Sequence, residues 1–452
     1  MRSLLLLALL TIPTLHHAQV HADETPSIAV GQARIRKTVI AFAEIKTAGD
    51  QAASIARSIK EIVNTDLTFM DMFRFLSSAA FIEPKTAGIT PNEFKLSDWN
   101  SIGTEFLIKS AVTVQAQGFV LEAYLYDVRG SKQALGKRYM ANLGDAKTVA
   151  HTLANDIVST LTGLPGIFLT KIAMSCDRND SARRKEIYMM NFDGTEVKQI
   201  TRHRSISFSP AWNADGTKIA YSVYTKHRNN IKNIDLWEFD FVSGTVHMLS
   251  NKKGINSGAA YAPQGKKMAL TMSFLGNPEV FELDLASDSV RQLTHSLSLD
   301  VDPTWSPDGR HIAFVSDRAG GPMVYSMNSD GSGVQRLTYA GRYNASPTWS
   351  PQNNKIAFAG WLEKNPDIFI MNPDGTNIER LTKGQGSNED PYFSPDGEFL
   401  VFSSNRTGQK NIYVMNVDGT FVKRLTFGLG NCDAPKWSSP PQGTLKTESR
   451  RN

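Results

Sequence analysis

Six times between residues 200 and 426 the chain closes a segment on a Leu-Thr-like pair: Ile200-Thr201, Leu249-Ser250, Leu293-Thr294, Leu337-Thr338, Leu381-Thr382 and Leu425-Thr426. Successive pairs lie 49, 44, 44, 44 and 44 residues apart. A period in the forties suits a four-stranded propeller blade or a helical pair of the HEAT type, and is too long for leucine-rich or ankyrin repeats. The residues between the pairs choose the blade. Three units read Asp302-Pro-Thr-Trp-Ser-Pro-Asp-Gly309, Ser346-Pro-Thr-Trp-Ser-Pro-Gln-Asn353 and Asp390-Pro-Tyr-Phe-Ser-Pro-Asp-Gly397, and each runs into a short apolar strand. A second Asp-Gly step follows in each, at Asp330-Gly331, Asp374-Gly375 and Asp418-Gly419. Asp-Gly supplies the positive φ of a tight hairpin, whereas helices would not tolerate Pro and Gly this often.

Counting blades predicts how the ring closes. The segment Gly166–Thr201 holds only the last three strands of a blade, and the missing first strand lies at the far end, in Asp433–Ser438. The aromatics Trp212, Tyr261, Trp305, Trp349, Phe393 and Trp437 keep the same spacing as the Leu-Thr pairs. The expectation is therefore an all-β six-bladed propeller over 166–438, closed by a C-terminal strand that removes two sheet edges. Residues 439–452 are expected to be a disordered tail. The recurrence of the Trp residues assigns them to packing between blades.

The two cysteines fall within this clasp. By repeat alignment Cys176 matches Ser316 and Cys432 matches Asp300, positions that face each other across the Ser306–Arg310 hairpin. Directly opposed strand residues lie within disulfide reach. Cys176 and Cys432 are thus either a disulfide closing the ring or two separate buried thiols.

Ahead of the repeats the pattern mixes helix and strand, predicting an α/β domain over 37–162. Thr38–Ala43, Phe106–Val114, Phe119–Val128 and Gln133–Tyr139 read as strands. Ala52–Val63 and Ala146–Leu161 carry apolar residues at helical spacing. The Thr162-Gly163-Leu164-Pro165-Gly166 break marks the boundary. The first 22 residues read as a secretory signal cleaved after Ala22: one positive charge at Arg2, an apolar run from Leu4 to Ile12, and small residues before the cut. That run is about half of what a membrane span needs, so export is expected.

A net charge of +5 with 21% charged residues, interspersed, does not suit a nucleic-acid binder. No Gly-rich phosphate loop, metal-ligand spacing or Gly-x-Ser-x-Gly elbow occurs. The expectation is a binding protein with no catalytic residues, no metal and no cofactor. Asn328–Gly333 has the look of a calcium loop but lacks its closing Glu, and reads as one more hairpin turn. The alternative is a propeller that binds envelope carbohydrate or peptidoglycan, or that accompanies a hydrolase.

Both Asp-Gly turns of every blade must lie on one rim, because successive strands alternate direction. The other rim then carries the longer loops and the approaches to each innermost strand, and variable loops on a rigid scaffold are where recognition sits. Arg318, Lys364 and Arg406 lie on neighbouring loops as candidate rim charges.

The repeat motif, preceded by Trp99, by Ile102-Gly103-Thr104-Glu105-Phe106-Leu107-Ile108 and by Leu161-Thr162-Gly163, resembles the TolB family, periplasmic components of bacterial Tol-Pal systems. The resemblance covers essentially all of the chain after residue 22. It implies a non-enzymatic monomer that binds the peptidoglycan-associated lipoprotein Pal through the propeller and the C-terminal domain of TolA through its mature N-terminal segment. Other outer-membrane lipoproteins or porins are further implied partners, and outer-membrane integrity and constriction at division are the implied roles. On the loop rim the Pal face would comprise His203, Arg204, Ser205, Ile255, Asn256, Ser257, Gly258, Asp300, Val301, Asn344, Glu389, Asp390 and Asp433. Of these, Ile255, Gly258 and Val301 match the family's lipoprotein-contact positions but differ from the family in side chain. The TolA segment would span 23–36, with Asp23, Glu24, Thr25, Pro26, Ser27, Ile28, Ala29 and Val30 at its core.

Overall fold

The computed structural model describes residues 36–450, apart from 85, 228, 229, 353 and 442–444. The expected signal peptide and all but Arg36 of the expected TolA-binding segment lie outside the described residues.

Strand Thr38–Phe42 pairs in parallel with both Phe73–Phe75 and Phe106–Gln115. The latter continues the sheet antiparallel through Gly118–Asp127 and Lys132–Ala141. Helices Asp50–Phe69 and Ala146–Thr162 pack together against one face, burying Ile55, Ile59, Val63 and Leu67 with Val149, Leu153 and Ile157. These are the helical stripes of the sequence. The second helix ends where Gly163 adopts φ 75°, its N–H bonded to Ser159 O at 2.9 Å, a left-handed stop that glycine takes without a Cβ penalty. The opposite face is covered by Trp99, Leu107, Tyr124 and Tyr126 with Phe81 and Phe94.

The propeller follows. Five blades are consecutive four-stranded antiparallel sheets, beginning at Ser207, Asn256, Asp300, Asn344 and Asn388. The remaining blade joins Cys432–Trp437 to Lys171–Cys176, Glu186–Asn191 and Lys198–Gln199. In its register Cys432 faces Cys176, and the two form a disulfide with a Cα–Cα distance of 4.2 Å. The recurring Trp residues bridge neighbouring blades: Trp212 donates to Lys436 O at 3.0 Å, and Trp305 to Ala260 O at 3.1 Å.

The Leu-Thr signature has a physical cause. In five blades the Thr hydroxyl accepts a backbone N–H from the third strand: Ile187 to Thr201, Val280 to Thr294, Val324 to Thr338, Ile368 to Thr382 and Ile412 to Thr426, at 2.8–3.0 Å. The second Asp-Gly signature meets it from the next blade. Gly331 sits at φ 93°, and a Cβ there would lie 2.5 Å from Leu293 O. Gly194 meets Leu425 O in the same way across the closure. Each blade's turn is thus keyed to its neighbour's final strand, which fixes the period.

The two domains meet on the tight-turn rim. Phe69, at the end of the first helix, packs against Phe192, Phe399 and Phe421 with ring centroids 5.2, 5.4 and 5.9 Å away. Those three belong to turns or strand ends of the clasp blade and the sixth blade. Behind them a buried His151–Asp66 pair, Nδ1 to Oδ2 at 2.7 Å, ties the two helices together.

One expectation needs correction. The tail after 438 is not disordered throughout, because Lys446–Ser449 forms a strand antiparallel to Lys132–Ala141, and Arg450 N–H donates to Gly136 O at 2.8 Å. Ring closure returns the chain end to the N-terminal domain, where the edge strand offers unpaired backbone groups. The four residues are all exposed, so no apolar pattern announced them.

Candidate functional site

Every innermost strand carries the same bulge. The register slips between its second and fifth residues. The residue inside the slip has positive φ: Ser209, Gly258, Asp302, Ser346, Asp390 and Ala434. A bulge bends its strand and re-aims side chains, and here the six residues line the central channel, a cavity of 220 Å³. Two positions on, Ala211, Ala260, Thr304, Thr348, Tyr392 and Lys436 complete the lining.

The charged residues of the lining, Asp302, Asp390 and Lys436, come from three different blades. Asp390 accepts from Ser346 Oγ at 3.2 Å, Ser403 Oγ at 3.1 Å and Ala434 N–H at 3.2 Å. Asp302 is accessible from the channel yet walled by protein, and this partial desolvation holds its carboxyl above the usual carboxylate range. Burial likewise depresses the Lys436 ammonium. Nearer the loop rim Glu389 pairs with Lys410, and Asp433 with Lys185. Burial raises Asp433 despite that lysine.

Beside the channel, between the fifth and sixth blades, lies a second cavity of 310 Å³ lined by Tyr343, Trp361, Pro366, Glu389, Ser346 and Asp390. It shares Ser346 and Asp390 with the channel. Burial, reinforced by Asp302, Asp390 and Glu389, pushes the Tyr343 hydroxyl up to about 12.

The loop rim is also apolar. Among the described residues, eleven of the twenty exposed large hydrophobics lie on it, including Leu297, Tyr339, Tyr343, Trp361, Leu362 and Phe427. The other nine are spread over the N-terminal domain, the outer strands and the turns of the other rim, so the loop rim holds the larger share. A concentrated apolar surface of this kind marks an interaction site.

The sequence-predicted face divides. Arg204, Ser205, Ile255, Ser257, Gly258, Val301, Glu389, Asp390 and Asp433 are at least partly accessible around the channel mouth. His203 is half-buried, its Nε2 3.0 Å from Tyr221 Oη. Asn256, Asp300 and Asn344 open their strands but turn inward, 0%, 0% and 4% exposed, and are unavailable to a partner. Asn256 donates to Ile234 O and Lys252 O at 2.8 and 2.7 Å. Asp300 is bound by Arg318 at 2.7 Å, and Arg406 reaches Asn388 at 2.8 Å. These two arginines are therefore braces of the approaches, while Lys364 stays exposed. The reasoning from sequence missed the aromatic cavity, because Trp361 stands alone in its loop position, where the neighbouring repeats have Asp317 and Asn405. It also missed Lys436 and Tyr392, although the repeat alignment exposes both where other blades have Ala or Thr.

Among the described residues no helix is long and apolar enough to cross a membrane, and no group of three or more His, Cys, Asp or Glu side chains could hold a metal ion.

Comparison with known proteins bears on this arrangement. The profile of the TolB beta propeller domain matches residues 158–363 and 342–451, and that of the TolB amino-terminal domain matches 26–134. The Tol-Pal system protein TolB of Desulfosudis oleivorans is 36% identical over 282 residues, 62% of this chain and 61% of that protein. Its counterpart in Geobacter metallireducens is 38% identical over 216 residues, 48% of each. The chain thus matches about half to three fifths of the length of these relatives. The crystal structure of TolB from Acinetobacter baumannii superposes with a TM-score of 0.76 at 28% identity, covering 89% of this chain and 97% of that one. With its propeller and its N-terminal domain both matched, the chain belongs to the TolB family.

Proposed function

We propose that this chain is the periplasmic propeller component of a Tol-Pal system. It binds the lipoprotein Pal on the loop rim of the propeller and the C-terminal domain of TolA through residues 23–36. It works without catalysis, as a monomer, in outer-membrane integrity and in constriction at division. The observation that carries the reading is the division of the two rims. The turn rim is partly occupied by the protein's own N-terminal domain, while the loop rim presents eleven exposed large hydrophobics around a channel mouth of paired charges. Exposed large apolar side chains gathered on one face mark an interaction surface. Membership of the TolB family supports reading that partner as Pal.

The chain lacking its first 22 residues, mixed with the Pal and TolA domains of the same organism, tests both halves by calorimetry. Pal should bind the full mature chain and a version lacking 23–34 alike, and TolA should bind only the former. Retained TolA affinity after the deletion, or no Pal binding, contradicts the reading.

A further inference from the structure

Two opposite charges share the central channel without meeting. Lys436 fills the position held by Ala211, Ala260, Thr304 and Thr348 in other blades. Its ammonium lies 4.6 Å over the Tyr392 ring and forms neither a hydrogen bond nor a direct ion pair. One ring nearer the loop rim, Asp302 donates its backbone N–H to Thr271 Oγ1 at 3.1 Å, but its carboxylate accepts no hydrogen bond from the protein. Asp390 is different, since three protein donors already hold it. Asp302 and Lys436 nonetheless feel each other across the cavity. Partly desolvated charges left unpartnered are costly, and a structure that keeps two of them apart has a use for the gap.

The surroundings keep that gap open. Gly258 leaves room for the Asp302 carboxylate, because a Cβ there would come within 3.0 Å of Oδ1. Ser209, Ala211, Ala260 and Ala434 keep the rest of the wall small. The 220 Å³ that remains leaves room for a molecule of amino-acid or dipeptide size. A simple anion entering here would be repelled by Asp302 and Asp390, and a simple cation would leave Lys436 without a counter-charge. A molecule carrying both charges satisfies both ends and adds no net charge.

We propose that the channel is a binding site for a small zwitterion, an amino acid or dipeptide, whose ammonium group rests on Asp302 and whose carboxylate rests on Lys436. The hydroxyls of Thr304, Thr348 and Ser346 line the space between them. The proposal does not rest on the docking of Pal, although the channel shares Ser346 and Asp390 with the aromatic cavity.

Saturation-transfer NMR on the mature protein with glycylglycine, acetate and methylammonium, one at a time and in competition, tests it without any variant. Glycylglycine should bind saturably and each singly charged compound about tenfold more weakly or less. Lys436→Met and Asp302→Asn should each lower glycylglycine affinity about tenfold or more. Should either variant fail to fold, the wild-type comparison still decides. No saturable binding of glycylglycine up to about 10 mM, equal binding of acetate or methylammonium, or unchanged affinity in well-folded variants overturns the proposal.

Discussion

A single hydroxyl explains why each repeat ends as it does. Thr382 accepts the Ile368 N–H at 3.0 Å and donates to Asp367 Oδ1 at 2.7 Å, so a 4%-exposed side chain satisfies a backbone donor and a carboxylate together. Valine has the same shape and neither capacity. Thr382→Val should therefore cost about 1–3 kcal/mol, the penalty for a buried group left unpaired. Thr382→Ser should cost about 1 kcal/mol or less for one buried methyl, and urea denaturation separates the two. Ser250 is the natural exception, its hydroxyl donating to Asn256 Oδ1 at 2.8 Å instead. Asp396 is a second telling residue. Fully buried in the first turn of the sixth blade, it accepts the Glu398 N–H at 3.1 Å while its Oδ2 has no partner. Burial raises its carboxyl from 3.8 to about 6. A carboxyl raised on folding stabilises the protein in its protonated form, so its contribution is full below about pH 4 and is lost as pH rises through about 6. Asp396→Asn should flatten the stability profile between pH 4 and 6, measured by thermal melts at fixed ionic strength. An unchanged slope would remove Asp396 as its source.

Among the elements, the clasp is the one on which the others depend. The strand Cys432–Trp437 completes a sheet whose other three strands lie some 250 residues earlier, and the disulfide joins positions 256 residues apart. Trp437 adds a 2.6 Å hydrogen bond from Nε1 to Thr170 Oγ1. Restraining so long a loop in the unfolded chain favours the closed ring, so the double variant Cys176→Ser with Cys432→Ser should lose about 2–5 kcal/mol of stability. Wild type under reducing conditions should match it. This element was legible before any coordinates, because an incomplete first blade and a spare final strand can be counted, and the repeat register set the cysteines opposite each other. The strand Lys446–Ser449 was not legible. It is exposed along its whole length and held by backbone pairing to one edge, an arrangement that leaves no mark in apolar periodicity. The approach residues fared unevenly for a related reason. Position in the repeat located Asn256, Asp300 and Asn344 at the rim, but which way a side chain turns depends on partners such as Arg318 that belong to other strands.

Seen as a whole, the molecule is a ring with two unlike rims. One is made of tight turns and is gripped by Phe69 of the N-terminal domain. The other is made of loops and gathers most of the exposed large hydrophobics. The sequence separated the rims by strand direction and turn chemistry, but did not reveal the aromatic cavity at Tyr343 and Trp361, since aromatic residues at single repeat positions build it. If the loop rim is where Pal docks, truncating Tyr343 and Trp361 must weaken that complex and a charge placed on the turn rim must not. The most direct measurement is the affinity of Pal for the double variant Tyr343→Ala with Trp361→Ala, set beside Val242→Asp in the turn between the third and fourth strands of the blade that begins at Ser207, where Val242 is 82% exposed. The double variant should bind at least about tenfold more weakly, the scale of aromatic interface anchors, while Val242→Asp binds as wild type. Full affinity in the double variant together with a loss in Val242→Asp would place the partner on the other rim and contradict this account.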